Sequence, residues 1–208
     1  RLIKRTLKSA EGALLNEESY SYDAAGNMTD APDSCFVYDA NNRLTVFKGS
    51  SLEYDLEGNM LAAPVVGGSG RLCYDGSNRL ISAGNNSYTY DAQDVRIKST
   101  CGDKVRTFTY DTVDKLSRLV YMTDNGEVVK FVYGDGLIGE ERSGAFRTYH
   151  FDYRGSTVAI SNDCGSVSDR FEYDSYGQMT SHIGSGGVIF GYNGRDGVVT
   201  DENGLIYM

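Results

Sequence analysis

The chain has 208 residues, with 20 Lys and Arg against 29 Asp and Glu, a formal net charge of −9. That balance opposes a nucleic acid bound through its phosphates, and no run approaches the ~18 apolar residues of a membrane span. Two distant histidines, His150 and His182, and four scattered cysteines (Cys35, Cys73, Cys101 and Cys164, with no CxxC) argue against a metal site, and no cofactor is expected.

Residues 1–19 begin RLIKRTLKS, with neither an initiator methionine nor a signal sequence, and read as the leading segment of a repeat region cut from a longer protein. From residue 20 an aromatic–Asp pair recurs. The aromatics are Tyr22, Tyr38, Tyr54, Tyr74, Tyr90, Tyr110, Phe151 and Tyr173, each followed by Asp23, Asp39, Asp55, Asp75, Asp91, Asp111, Asp152 or Asp174. Such a period is the mark of a stacked-repeat architecture. The long step between Tyr110 and Phe151 has room for a degenerate unit around Tyr133.

Two residues before each repeat aromatic stands another large side chain: Tyr20, Phe36, Leu52, Leu72, Tyr88, Phe108, Tyr149 and Phe171. Residues two apart share one face of a strand. The segment before each aspartate is therefore a strand with one heavy face. Three residues after each aspartate comes Gly26, Asn42, Gly58, Asn78, Asp94, Asp114, Gly155 or Gly177, the types that tolerate positive φ. An aspartate at a strand end can accept the amide N–H groups of the turn it opens. The eight aspartates thus read as turn braces rather than catalytic acids. An apolar residue returns two places later at Met28, Leu44, Met60, Leu80, Leu116 and Met179. Arg96 and Thr157 break that rule, and the fifth unit reads as a register slip that uses Ile97. With further turns at Asp124-Asn125-Gly126 and Asn203-Gly204, the prediction is all-β, some 16 to 18 short antiparallel strands, with little support for a helix. The glycine-rich stretches at 67–70 and 184–187 read as flexible hairpin loops.

YDAAGNMTD at 22–30, YDANNRLTVF at 38–47, YDLEGNML at 54–61 and YDGSNRLISA at 74–83 resemble units of the YD-repeat, or Rhs, family. FVYGDGLIGEE at 131–141, DYRGSTVAISNDCGSVSDRFEYDSYGQM at 152–179 and YNGRDGVVTDENGLIYM at 192–208 resemble the beginning of its Rhs-associated core. The resemblance implies three stretches: 1–19 leading in, 20–120 as regular repeats, and 121–208 as core-like hairpins. It implies consecutive antiparallel hairpins in a curved or spiralling sheet, an open section of a larger shell. It also implies a non-enzymatic wall module of a secreted, injected or cell-surface protein, bacterial in the commonest case. The partners would be the rest of the parent polypeptide and an enclosed C-terminal toxin domain.

A competing expectation is adhesion or carbohydrate binding through tyrosines outside the repeat rule. The candidates are Tyr121, Tyr133, Tyr153, Tyr176 and Tyr192. The free edges of such a sheet also suggest edge-to-edge self-association.

Overall fold

The computed structural model describes residues 1–32, 34–65, 68–112 and 117–208, with only the backbone at 64, 65, 68 and 69. Asp114 and Leu116, and Gly67 of the first glycine-rich stretch, lie outside the described residues. The fold is all-β and antiparallel. Among the described residues there are 22 strands and one 3-10 turn at Gly194–Asp196, more strands than the sequence suggests because several hold only two residues.

The chain divides into two compact units, 1–64 with 69–72 and 65–68 with 73–208. In the first, Lys4–Lys8 pairs with Leu14–Ser19, and five strands from Ser21–Tyr22 to Ser50–Ser51 follow in sequence order. Tyr20, Leu52 and Leu72 are buried there, and Phe36 packs on Phe47 with ring centroids 5.2 Å apart.

The second unit carries most of a 13-stranded sheet in which spatial order is sequence order. Strands in such a meander alternate in direction, so the Tyr-Asp turns fall along one rim. Tight hairpins close the other rim. Asn125 and Gly126 have φ of 49° and 87°, and Ser143 and Gly144 have 51° and 80°. Both central residues being left-handed is the turn geometry whose twist matches the flanking strands.

Five repeat aromatics pair with the residue five places after their aspartate: Tyr22 with Met28, Tyr38 with Leu44, Tyr90 with Arg96, Phe151 with Thr157, Tyr173 with Met179, whereas Tyr110 pairs with Leu119, eight places after Asp111. A register shift immediately precedes every one of these pairs. In the five, the extra residue on the return strand is Thr29, Thr45, Ile97, Val158 or Thr180, all β-branched. Bulges of this kind increase local twist and bend a sheet. The fifth unit is therefore not slipped. Ile97 is its bulge residue, 37 % exposed, and Arg96 takes the inward place and is buried.

The inward face holds Phe108, Leu119, Met122, Val129, Phe131, Tyr149, Ile160 and Phe171. A single layer of strands leaves such a face wet unless something covers it. Here the cover is the chain's own C-terminal segment. Phe190 is fully buried, 4.9 Å from Phe131 and 6.5 Å from Tyr149, ring centre to ring centre. Backbone bonds fix the path: Thr157 N–H donates to Gly191 O (2.9 Å), Arg195 N–H to Gly155 O (3.0 Å) and Thr200 N–H to Ile189 O (2.7 Å).

Candidate functional site: the turn rim and an inner charged band

The Tyr-Asp turn is one construction used repeatedly. In the Asp152 turn, the aspartate N–H donates to Ser156 O at 2.9 Å, and Gly155 N–H donates back to Asp152 O at 3.0 Å. The carboxylate Oδ1 accepts from the N–H of Arg154 and of Ser156, both at 2.9 Å. Asp39, Asp75, Asp91 and Asp174 accept in the same two places, and Asp23 and Asp55 accept from Asn27 and Asn59. Hydrogen bonds from those asparagines hold the carboxyls of Asp23 and Asp55 below the usual range. For Asp39 it is the Arg43 backbone N–H that does so. Asp111 ends a strand whose turn falls outside the described residues. Among the described residues the same five-residue turn occurs three times without an aromatic, at Ser9–Ala13, Asn162–Ser166 and Asp201–Leu205.

Neighbouring turns are tied to each other. Asn27 Nδ2 donates to Asn42 Oδ1 at 2.9 Å, Arg79 Nη1 to Asp94 Oδ1 at 2.8 Å, and Arg154 Nη1 to Asp174 O at 3.5 Å. The tyrosine hydroxyls reach backwards too. Tyr54 donates to Leu44 O, Tyr90 to Leu80 O and Tyr133 to Leu119 O, at 2.6, 2.8 and 2.9 Å. The guanidinium groups of Arg43, Arg79 and Arg118 lie over the rings of Tyr54, Tyr90 and Tyr133 at 4.9, 5.3 and 5.8 Å. Tyr133 thus has the place of a repeat aromatic, and the bulge before it is of the same kind.

Depth separates the two aromatic positions. Among the repeat aromatics only Tyr173 is fully buried; Tyr22, Tyr38, Tyr54, Tyr74, Tyr90, Tyr110 and Phe151 are half-buried. The residues two places earlier go deeper, all buried except Phe36. Of the candidate ligand tyrosines, Tyr121, Tyr153 and Tyr176 are exposed. An exposed platform is not what Tyr133 and Tyr192 provide. Tyr133 is spent on the Leu119 carbonyl, and Tyr192 packs on the core with its ring 6.4 Å from Tyr173.

Four residues before the repeat aromatic, on the same inward face, stand polar groups: Glu18, Asn86, Arg106, Arg147 and Asp169. In the second unit they belong to a charged band beside the aromatic core. Arg147 bridges two buried carboxylates, Glu140 at 2.9 Å and Asp169 at 3.1 Å. Tyr149 donates to Glu140 at 2.8 Å, and its hydroxyl is pushed well above its ordinary pKa by burial and by that carboxylate. Asp169 also accepts from Ser168, from Gly186 N–H and from His182 at 3.0 Å. Burial opposes its ionisation, but these hydrogen bonds outweigh it and keep its pKa low. His182 lies in strand Met179–Ile183 with its ring stacked on Phe171. The 184–187 glycines are not a free tip either: a Cβ at Gly184 would sit 2.4 Å from Asp169 Oδ1, and one at Gly186 2.7 Å from Arg147 Nη2. His150 is exposed and bonds to Ser161 on its neighbouring strand.

The C-terminal segment is locked down by Arg96. Its Nη1 meets Asp201 Oδ2 at 2.6 Å, its N–H donates to the Tyr207 hydroxyl at 3.0 Å, and its guanidinium lies 4.2 to 5.3 Å from the rings of Tyr207, Tyr88 and Phe108. Asn203 Nδ2 donates to the Tyr88 hydroxyl, and burial lifts that hydroxyl to about 12. Further along, Glu202 pairs with Lys104 at 2.5 Å and Arg106 at 3.0 Å. Among the described residues, no three His, Cys, Asp or Glu side chains gather as a metal cluster.

A sequential antiparallel meander, braced at its described Tyr-Asp turns and stitched turn to turn, defines a YD-repeat shell protein. The teneurin YD-shell profile matches residues 4–202, and the chain belongs to that family. Two solved structures share the fold. The TcdB2-TccC3-Cdc42 crystal structure superposes with a TM-score of 0.56 at 14 % identity, over 96 % of this chain and 12 % of that one. A Photorhabdus luminescens Tc holotoxin pore with a mutated TccC3 gives 0.52 at 12 % identity, over 100 % and 15 %. Among curated proteins, the tRNA3(Ser)-specific nuclease WapA of Bacillus spizizenii is 28 % identical over 100 % of this chain and 9 % of its own length. The tRNA nuclease WapA of Bacillus subtilis strain 168 is 28 % identical over 93 % and 7 %. The chain therefore spans less than a tenth of these relatives.

Proposed function

We propose that this chain is a non-enzymatic wall section of a bacterial YD-repeat shell that encloses or displays a toxin domain of its parent polypeptide. The observation that carries the reading is where the chemistry of the side chains is used. The repeat aspartates spend their oxygens on turn amides, and the buried charges of the band are paired with each other. That is how a scaffold uses its polar groups. The full-length WapA relatives, named as tRNA nucleases, are consistent with a shell segment inside a much longer toxin. The parent would then be secreted, injected or held at the cell surface. The test is to incubate the purified chain with total tRNA and, separately, to digest the parent polypeptide lightly with protease. The expected results are intact tRNA and a protease-resistant shell fragment containing residues 1–208. Cleavage of tRNA by the 208-residue chain would overturn the reading.

A second reading, surface adhesion through glycans, draws on one feature. Tyr153 and Tyr176 are exposed on adjacent turns, with Arg154 reaching from the first turn to carbonyls of the second. Aromatic faces beside a fixed arginine suit sugar rings. A glycan array would test it, and binding that survives replacement of both Tyr153 and Tyr176 by alanine would refute it. The edge strand Met179–Ile183, with Ile183 68 % exposed, is where self-association would occur. Sedimentation of a clean monomer at high-micromolar concentration would exclude it.

A further inference from the structure

In the large sheet, the neighbours of an inward-facing residue point outward. On most strands that outward face is polar: Thr107 and Thr109 flank Phe108, Thr148 and His150 flank Tyr149, and Arg170 and Glu172 flank Phe171. Three adjacent strands depart from this, Arg118–Asp124, Glu127–Gly134 and Gly136–Arg142. They turn outward Tyr121, Val128, Val132 and Ile138, which are 48, 49, 41 and 45 % exposed. Two glycines level the surface between them. A Cβ at Gly139 would sit 2.8 Å from Phe146 Cζ, and one at Gly134 3.1 Å from Ile138 Cδ1, so both side chains lie flat on the sheet. The result is a flat apolar platform on the side away from the core, and contiguous exposed apolar surface marks an interaction site.

The register across this platform carries a second feature. Tyr121 pairs with Lys130, Lys130 with Glu141 and Glu141 with Phe146. The row reads aromatic, cation, anion, aromatic, and Lys130 Nζ meets Glu141 Oε1 at 3.1 Å. Reversed about its midpoint, the row matches itself. A two-fold axis lying along the strands, above the gap between Lys130 and Glu141, sets Lys130 against Glu141 of a second copy and Tyr121 against its Phe146. Because Val132 pairs with Gly139, the same operation seats Val132 over the second copy's Gly139, where no side chain stands in the way. Self-complementarity of this kind is what an isologous contact requires.

We propose that the outward platform of these three strands is where a second copy of the chain docks, sheet face on sheet face. Other occupants suit it less. The surface is flat, whereas small ligands take concave pockets and amphipathic helices take grooves. A net charge of −9 gives no attraction to anionic lipid. Two sheets pack ~10 Å apart with their strands within ~30° of each other, which is the arrangement this axis produces. Four half-exposed side chains and their rim amount to roughly a few hundred Å², below the ~800 Å² per partner of a standard interface. The dimer is therefore weak, with a Kd on the order of 100 µM. It is a different contact from pairing at the edge strand Met179–Ile183.

Sedimentation of the 208-residue chain from about 5 to about 500 µM reads the equilibrium. Lys130→Glu and Glu141→Lys should each weaken the dimer about tenfold, because like charges then face each other twice across the axis. Mixed in equal amounts, the two variants should associate about as tightly as wild type, since every cation then meets an anion of the other chain. That rescue is peculiar to a two-fold contact. Val132→Lys leaves the row alone and should abolish association, and it decides the question should a charge variant fail to fold. Ile183→Lys, on the edge strand, should change nothing. A chain that stays monomeric at the highest concentration, charge variants that associate like wild type, a mixture that remains monomeric, or loss of the dimer in Ile183→Lys would each overturn the proposal. So would flotation of a monomer with neutral phosphatidylcholine vesicles, which would give the platform to a membrane surface instead.

Discussion

Arg96 and Asp201 stand 105 residues apart and form a buried ion pair, Nη1 to Oδ2 at 2.6 Å, with both side chains almost wholly out of solvent. The pair fastens the covering segment to the sheet. Removing one partner of a buried pair strands the other charge, at a cost of ~3–5 kcal/mol. Asp201→Asn is expected to destabilise the second unit by about that much, and to speed exchange of the Thr200 amide, which bonds to Ile189. Arg96→Met added to Asp201→Asn should recover at least half of the loss. Urea titration with hydrogen exchange checks both, and a double variant no better than the single one would show that the charge pairing is not what holds the segment.

The turn brace and the buried aromatic make separable contributions. Asp152→Ala loses two acceptor contacts to turn amides and is expected to cost ~1–2 kcal/mol, while Asp152→Asn keeps an acceptor and should cost less. Phe171→Ala, at a buried position two places before the repeat aromatic, is expected to cost ~3–5 kcal/mol, and Tyr90→Ala, half-buried, distinctly less. Chemical denaturation of the three alanine variants ranks them. If Tyr90→Ala proved worse than Phe171→Ala, the assignment of depth within the repeat would fail.

Much of this was legible in sequence because it is local. Alternation with period two placed Tyr88, Phe108 and Phe171 inward, and the Asp-to-Gly spacing marked the turns. The same alternation, carried one step further, points to Arg106, Arg147 and Asp169 on the inward face, so the charged band had a signal that went unread. Arg96 was missed for a different reason. Its position normally takes an apolar side chain, and the groups that make an arginine acceptable there, Asp201 and the Tyr207 ring, are supplied from the far end of the chain. No local pattern carries that information. The covering role of residues 188–207 is likewise a long-range fact, and Tyr133 lacked the aspartate that identifies its fellows.

Acid should loosen the covering segment first. The Asp169 and Glu202 carboxyls lie below their ordinary values of 3.8 and 4.5, because hydrogen bonds from His182 and Lys104 respectively overcome the effect of burial. A carboxyl with a depressed folded pKa contributes stability that is present above its unfolded pKa and lost as pH falls through the folded one. Stability should therefore be flat from neutrality to about pH 5 and decline below pH 4. Exchange at Gly186, whose N–H donates to Asp169, should rise before exchange in the central strands. Uniform loss across the sheet would contradict a segment held by these two groups.

Alkali probes the opposite end of the scale. Burial raises the hydroxyl pKa of Tyr110, Tyr133, Tyr149 and Tyr173 above the ordinary 10, and that of Tyr88 to about 12. In the unfolded chain these groups ionise near 10. A raised folded pKa contributes stability that is complete below the unfolded value and lost as pH rises through the folded one, so the fold should weaken steadily above pH 10. Absorbance at the phenolate band should show two populations among the 16 tyrosines: an early, reversible class, and a late class released together with the loss of β circular dichroism. Asp201→Asn should bring Tyr88 into the early class, because its hydroxyl is enclosed by the segment that carries Asn203. A single smooth titration near pH 10 for all the tyrosines, with the sheet intact, would mean that the inward face is wet and the covering segment is not in place.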